Sequence, residues 1–314
     1  MSSIENEDGA AIPQSHAVRD DHTTCYHYCG VDKFVSIVRH KKLRLCNLFH
    51  MNDAKEVSWF FDIASKRIDD LLAGPEDGGG GSSSSGWQQN ALVKLSSLIK
   101  TRRFYHAYAA CFSARRDDLS QWRGYADDGR GVTLGIDLEE VLKQANCRLL
   151  ERVRVNYHRS EAEQRVDGIL SPLSDRAGSG SSSSSSGSSS GPRPAVRILR
   201  QLANIAPSFK NPAFKHEAEV RLIVRTSVPP DEDLDPSRFG KKWFAGFPSP
   251  VCFFQGRSGL VPFTMVDLPP SAIRAVGFGP KFGRYENEVA LKLFCRKKLP
   301  GCQIRFYNSE ASYR

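Results

Sequence analysis

The sequence predicts an α+β fold, a single domain of small mixed or antiparallel sheets flanked by helices. Short β-branched and aromatic runs such as "TTCYHYCG" and "VTLGID" are interleaved with segments of helical spacing. Hairpin signals, among them the tight turn "DDGRG", fall in the middle of the chain. No internal repeat is present.

The elements follow in order. "TTCYHYCG" (23–30) reads as a strand ending at Gly30. "VDKFVSIVRHKKLRL" (31–45) places Phe34, Ile37 and Val38 at helical spacing with Asp32 as N-cap, and "KLRLCNL" follows as a short strand. A turn at Asn52-Asp53 opens a helix that offers Val57, Phe60, Phe61, Ile63 and Ala64 for burial. A further helix spans 88–101. The segment 104–142 contains a strand through Cys111-Phe112-Ser113 and a helical turn carrying Trp122 and Tyr125. The tight turn 127–131, the strand 132–137 and a helix capped by Asp137 follow. A helix at 195–206, a strand through "NPAFKHEAEVRLIV" (211–224), a strand at 273–281, an amphipathic helix at 285–298 and a last strand at 303–309 complete the chain.

The tracts 74–88 and 177–194, rich in Gly and Ser, have almost no apolar side chains to offset the entropy of ordering, and are expected to be disordered insertions. With the polar segment 1–22 set aside as a disordered N-terminal segment, 23–314 is expected to form one domain interrupted by these two insertions.

Lys plus Arg number 44 against 35 Asp plus Glu, a formal net charge of +9, which favours polyanionic partners such as dinucleotides or RNA. The basic residues are scattered, so a solvated basic surface accounts for them more simply than a nucleic-acid footprint does. The eight cysteines include no CxxC pair and no cluster of zinc-ligand spacing; no metal is expected, and reduced thiols are. There is no apolar signal core and no run of 18 apolar residues, so a cytoplasmic protein without membrane contact is expected. No GxGxxG follows a strand, and no P-loop, HExxH or GxSxG occurs, which weighs against several large enzyme classes.

The most informative stretch is "HEAEVRL". As a strand it puts Glu217, Glu219 and Arg221 on one face and Ala218, Val220, Leu222 and Val224 on the other. Two readings are open at this point: a half-exposed edge strand whose Glu-Arg pairs decorate solvent, or a charged face lining a cleft.

"YHYCGVDKFVSIVRHKKLRLCNLFHMNDAKEVSW", "CFSARRDDLSQWRGYADDGRGVTLGID", "NPAFKHEAEVRLIV", "AVGFGPK" and "SEASYR" resemble, in that order, the largely bacterial family catalogued as domain of unknown function 2971. That resemblance implies no activity. More distantly, the Tyr-His strand, the aromatic-Ser strand and the late Glu-x-Glu resemble the three core motifs of the ADP-ribosyltransferase superfamily, in which a split sheet binds NAD.

By that resemblance Glu219 and Glu217 are the catalytic carboxylates, with Glu219 stabilising an oxocarbenium-like transition state and Glu217 orienting or deprotonating the acceptor. His27 and Ser113 contact NAD, and Tyr26, Trp122, Tyr125 and Arg221 complete its site. Asn52, Asp53, Glu56 and Arg123 are further cleft candidates. The middle motif "CFS" departs from the superfamily's usual Ser-Thr-Ser, and His27 with Glu-x-Glu mixes two of its subclasses. At strand rise the two carboxylates emerge roughly 6 to 7 Å apart, and their repulsion is expected to raise one pKa.

Each residue also has a structural reading. His27 satisfies a backbone carbonyl, Ser113 starts a turn, Trp122 and Tyr125 belong to the core, and Asn52, Asp53 and Glu56 make an Asx turn with a first-turn helix acid. Arg123 and Arg221 pair with carboxylates or with pyrophosphate. The expected function is accordingly an NAD-dependent enzyme that modifies a macromolecular acceptor, protein or nucleic acid. The alternative is a non-catalytic basic nucleotide- or RNA-binding module in which the "HEAEVRL" charges form a structural ion network.

Overall fold

The computed structural model describes residues 23–51, 57–74, 86–101, 107–174, 194–225, 246–256 and 259–313. Asn52, Asp53, Glu56, the segment 1–22 and most of the two Gly/Ser tracts lie outside the described residues.

The chain opens as the sequence predicts, with strand β1 (Thr24–Cys29), helix α1 (Val31–His40) and strand β2 (Lys42–Asn47). Gly30, not Asp32, is the N-cap of α1; Asp32 lies in its first turn, where a carboxylate still complements the helix dipole. Helix α2 (Ser58–Ala73) buries Phe60, Phe61, Ile63 and Ala64. Helix α3 (Gly86–Thr101) begins inside the first Gly/Ser tract, taking up Gly86, Trp87 and Gln88.

Strand β3 (Ala107–Ser113), helix α4 (Leu119–Tyr125), strand β4 (Val132–Asp137) and helix α5 (Leu138–Gln144) follow. Asp118 caps α4, and Asp137 caps α5 by accepting from the Glu140 N–H. Strand β5 (Glu151–Arg154) and helix α6 (Arg159–Ser174) were not anticipated; the polarity of α6 conceals an apolar stripe of Ala162, Val166, Leu170 and Leu173. Next come α7 (Pro194–Ile205), β6 (Glu219–Arg225), β7 (Cys252–Gly256), β8 (Gly259–Asp267), β9 (Ile273–Phe278), α8 (Tyr285–Lys298) and β10 (Arg305–Asn308).

The strand expected over 211–224 is shorter. Asn211 accepts a hydrogen bond from the Ala213 N–H and Pro212 presets the backbone, so Pro212–Glu217 form a 3-10 turn that ends at Ala218 in the left-handed region (φ 45°). Only from Glu219 does the strand run, and it is no edge: β6 lies between β3 and β5, with Glu217, Glu219 and Arg221 all buried.

The sheet is mixed, mostly antiparallel and unclosed, in the order β10-β9-β4-β1-β3-β2-β8-β7, with β6 and β5 branching from β3. The branch fixes the architecture. Every residue of β3 pairs with β6, which fills one edge of β3. Strands β1 and β2 share the other edge, β1 meeting it at Ser113 and β2 at Ala109 and Tyr108. The sheet therefore forks along β3.

Helices cover both faces, as an α+β domain requires. Side chains of α2, α3, α6 and α7 form one core with Ala107, Ala109 and Ile223. Side chains of α1, α5 and α8 form the other with Tyr108, Phe112, Val220, Leu222 and Val224. A small aromatic cluster, Tyr26, Tyr28 and Trp122 with Ala126, closes the end where α4 rests on β1. No helix among the described residues is long and apolar enough to cross a membrane.

Candidate functional site: a groove in the sheet fork

Where β1 and β2 part, that edge of β3 lacks a strand neighbour, and the His27 ring supplies a hydrogen-bond partner there. Its Nδ1 lies 2.9 Å from the Cys111 carbonyl oxygen. A carbonyl only accepts, so Nδ1 carries the proton and the neutral ring keeps its lone pair on Nε2. Burial pushes the His27 pKa down, against the raising effect of the Cys111 bond, so the neutral tautomer holds at neutral pH.

On the other edge of β3, β6 brings in the charges. Arg221 Nε donates to Glu219 Oε1 and Nη2 to Oε2, both at 2.8 Å, while Nη1 donates to the Pro207 carbonyl at 3.0 Å. Lys210 Nζ donates to Glu217 Oε2 at 2.6 Å and to Glu219 Oε2 at 3.1 Å. Tyr125 Oη donates to Glu217 Oε1 at 2.7 Å, and the Tyr157 hydroxyl accepts the Glu219 N–H at 2.9 Å.

The expected repulsion between the glutamates is thus answered by one ammonium that binds both. Burial alone would raise the Glu219 carboxyl, but the Arg221 charge and its two hydrogen bonds, with Lys210 and the Cys111 thiol, outweigh it and hold the pKa below the ordinary value. Burial and the Glu217 charge push the Tyr125 hydroxyl up, so it stays a donor.

Lys210 reaches this position because Phe209 pairs in parallel with Asn156, the Lys210 N–H donating to the Asn156 carbonyl at 3.1 Å. Nothing in "SFKNP" marks it in the sequence. Ser113 Oγ donates to the Glu217 carbonyl at 2.7 Å and accepts from the Arg115 N–H at 3.1 Å, tying the 3-10 turn to the end of β3.

The remaining motifs assemble around this point. Asp117 accepts from Trp122 Nε1 at 2.5 Å, Ser309 Oγ at 2.6 Å and the Glu310 N–H at 2.7 Å, which anchors "SEASYR" to the loop before α4. Asp128 accepts from Tyr313 Oη at 2.6 Å and Lys281 Nζ at 2.9 Å. The "GFGPK" turn lies on "DDGRG" through Gly279 N–H to Gly131 O and Lys281 N–H to Gly129 O. These contacts fix the segment 114–131 that carries Tyr125 and Gln121.

The fork opens into a cavity of about 550 Å3, within the range that holds a nucleotide. Its lining includes Tyr26, His27, Ser113, Tyr125, Glu217 and Glu219. Trp122, Arg123 and Arg221 are not brought to it. Trp122 is wholly buried edge-on against Tyr28 at 4.8 Å; Arg221 is wholly buried behind Glu219; Arg123 is exposed, its guanidinium 5.5 Å from the Tyr313 ring. Sequence reading missed Lys33, Arg44, Gln121, Lys210, Phe214 and Phe254, which also line the cavity. Among the described residues no group of His, Cys, Asp and Glu side chains is placed to hold a metal.

Fold and groove together define an α+β protein with a forked sheet, its ligand-sized gap walled by paired carboxylates on one side and cations on another. Residues 121–222 match the model of the family described as "Protein of unknown function (DUF2971)", which bears out the resemblance to that family over this segment. The matched segment holds Gln121, Tyr125, Lys210, Glu217 and Glu219 of the groove; the β1 and β3 motifs lie outside it. No curated protein and no solved structure matches the chain.

Proposed function

We propose that the groove binds NAD, and that the protein is an ADP-ribosyltransferase-like enzyme that modifies a macromolecular acceptor. One observation carries this reading: Glu217 and Glu219 both border a nucleotide-sized cavity that also presents His27, Tyr26 and exposed cations. Breaking the bond between the ribose C1′ and nicotinamide leaves the electron pair on neutral nicotinamide and an oxocarbenium-like carbon, which nearby carboxylates stabilise. The acceptor then bonds to C1′ and its proton passes to a base.

Glu219 has both oxygens clamped by Arg221 and one shared with Lys210, so it acts as fixed charge. Among the described residues Glu217 Oε1 meets only a tyrosine hydroxyl, a partner that is easily exchanged, and the base role falls to Glu217. His27 Nε2, as an acceptor, takes a ribose hydroxyl. The eight free thiols suit a reducing, cytoplasmic setting.

The second reading, a non-catalytic nucleotide- or RNA-binding module, is favoured by the completeness of the charge pairing around Lys210 and Arg221. Calorimetry and nicotinamide release at millimolar NAD separate the two. Binding with release that is lost in Glu217→Gln supports the transferase. Binding without release supports the module, and no NAD binding overturns the transferase reading.

A further inference from the structure

The groove has a second feature, at its mouth rather than beside its carboxylates. Arg44, on β2, is exposed and lines the cavity. Its guanidinium carbon lies 4.6 Å from the centroid of the Phe254 ring and 4.5 Å from that of Phe263. The two rings pack edge to face at 5.7 Å. Register explains the seat: β2 pairs with β8 so that Arg44 faces Met265 and Cys46 faces Phe263, and β7 lies along β8 with Phe254 opposite Val261.

Lys42, two residues earlier on the same strand, is paired with Asp267 at 2.5 Å. Arg44 has no carboxylate partner among the described residues. An arginine held on aromatic rings keeps its N–H edges free and loses little rotamer entropy on binding, which is the arrangement suited to bidentate phosphate contact. Lys33 and Ser36, exposed on α1, line the same cavity and add a point charge and a hydroxyl.

We infer that Arg44, seated on Phe254 and Phe263 and assisted by Lys33 and Ser36, is the diphosphate subsite of the groove, which selects nucleoside diphosphates and their esters over nucleosides. The inference rests on the nucleotide reading above for its ligand class, but not on any chemistry at Glu217.

The test is calorimetric titration of NAD, ADP and adenosine into wild type, Arg44→Ala and Phe254→Leu, with thermal melts to verify folding. Arg44→Ala is expected to weaken NAD and ADP about tenfold or more, the loss of a charged hydrogen-bonded contact, and to leave adenosine unchanged. Phe254→Leu keeps the guanidinium but loosens its seat, and is expected to weaken the same two ligands by a smaller factor. Binding of ADP that depends on Arg44 without binding of NAD keeps the subsite and removes the NAD reading. Wild type that binds neither NAD nor ADP, or an Arg44→Ala variant that binds both within about twofold of wild type, overturns the subsite.

Discussion

Arg221 and Glu219, two residues apart on β6, share one face of the strand and form a buried bidentate pair at 2.8 Å on each arm. The period of two along a strand makes the pair, and the position of β6 between β3 and β5 buries it. A buried pair of this kind contributes little net stability against an apolar replacement, but its half is costly to keep alone.

Arg221→Met is therefore expected to destabilise the protein by about 3–5 kcal/mol, because Glu219 loses its bidentate partner, keeping Lys210 and the Cys111 thiol, and the Pro207 carbonyl loses its donor. Urea unfolding measures this. A cost under about 1 kcal/mol would mean that the pair is solvated like a surface ion pair.

Acid should weaken the fold through two groups whose contributions begin to fall at different pH. The folded pKa of His27 lies below its ordinary value of 6.5, so the unfolded chain takes up that proton first; this contribution is complete above 6.5 and is lost as pH falls towards the folded value. The folded pKa of Glu219 lies below its ordinary value of 4.5, so its contribution is present above 4.5 and is lost as pH falls through the folded value. Urea midpoints across pH should show both declines. His27→Gln is expected to remove the upper one and leave the lower.

Asp117→Ala strands the indole N–H of a fully buried Trp122 and frees Ser309 and Glu310, at an expected cost of about 1–3 kcal/mol. The same substitution should expose the C-terminal residues 309–313 to limited proteolysis under conditions where wild type resists. Equal resistance of the two proteins would show that "SEASYR" is held by something other than Asp117.

Gly279 sits where a Cβ would meet the Gly129 carbonyl oxygen at 2.3 Å, a backbone atom that cannot swing aside. Gly279→Ala should push the "GFGPK" and "DDGRG" turns apart, cost about 1–3 kcal/mol in a melt, and loosen Tyr125 with them.

Much of the fold was legible because it rests on local periodicity. The spacing of Phe34 and Val38, of Phe60, Phe61 and Ala64, and the Asp137 cap all held, since helix burial and capping depend on neighbours within one or two turns. Helix α6 was missed because its apolar stripe is narrow among charged residues. The Asn211-Pro212 dipeptide was a turn signal, and the alternation of "EAEVRL" concealed it.

The sequence by itself determined most of the local elements, the α+β class and the motifs that meet at the groove. Only the tertiary structure decided how their charges are spent. That Glu219 is clamped by Arg221, that Lys210 bridges both glutamates and that Trp122 is core while Arg44 lies on two phenylalanine rings at the mouth all follow from how the strands pair around β3 and β2. Pairing between distant segments sets burial and partner together, and a carboxylate's chemistry depends on both, so no local pattern in the chain could carry it.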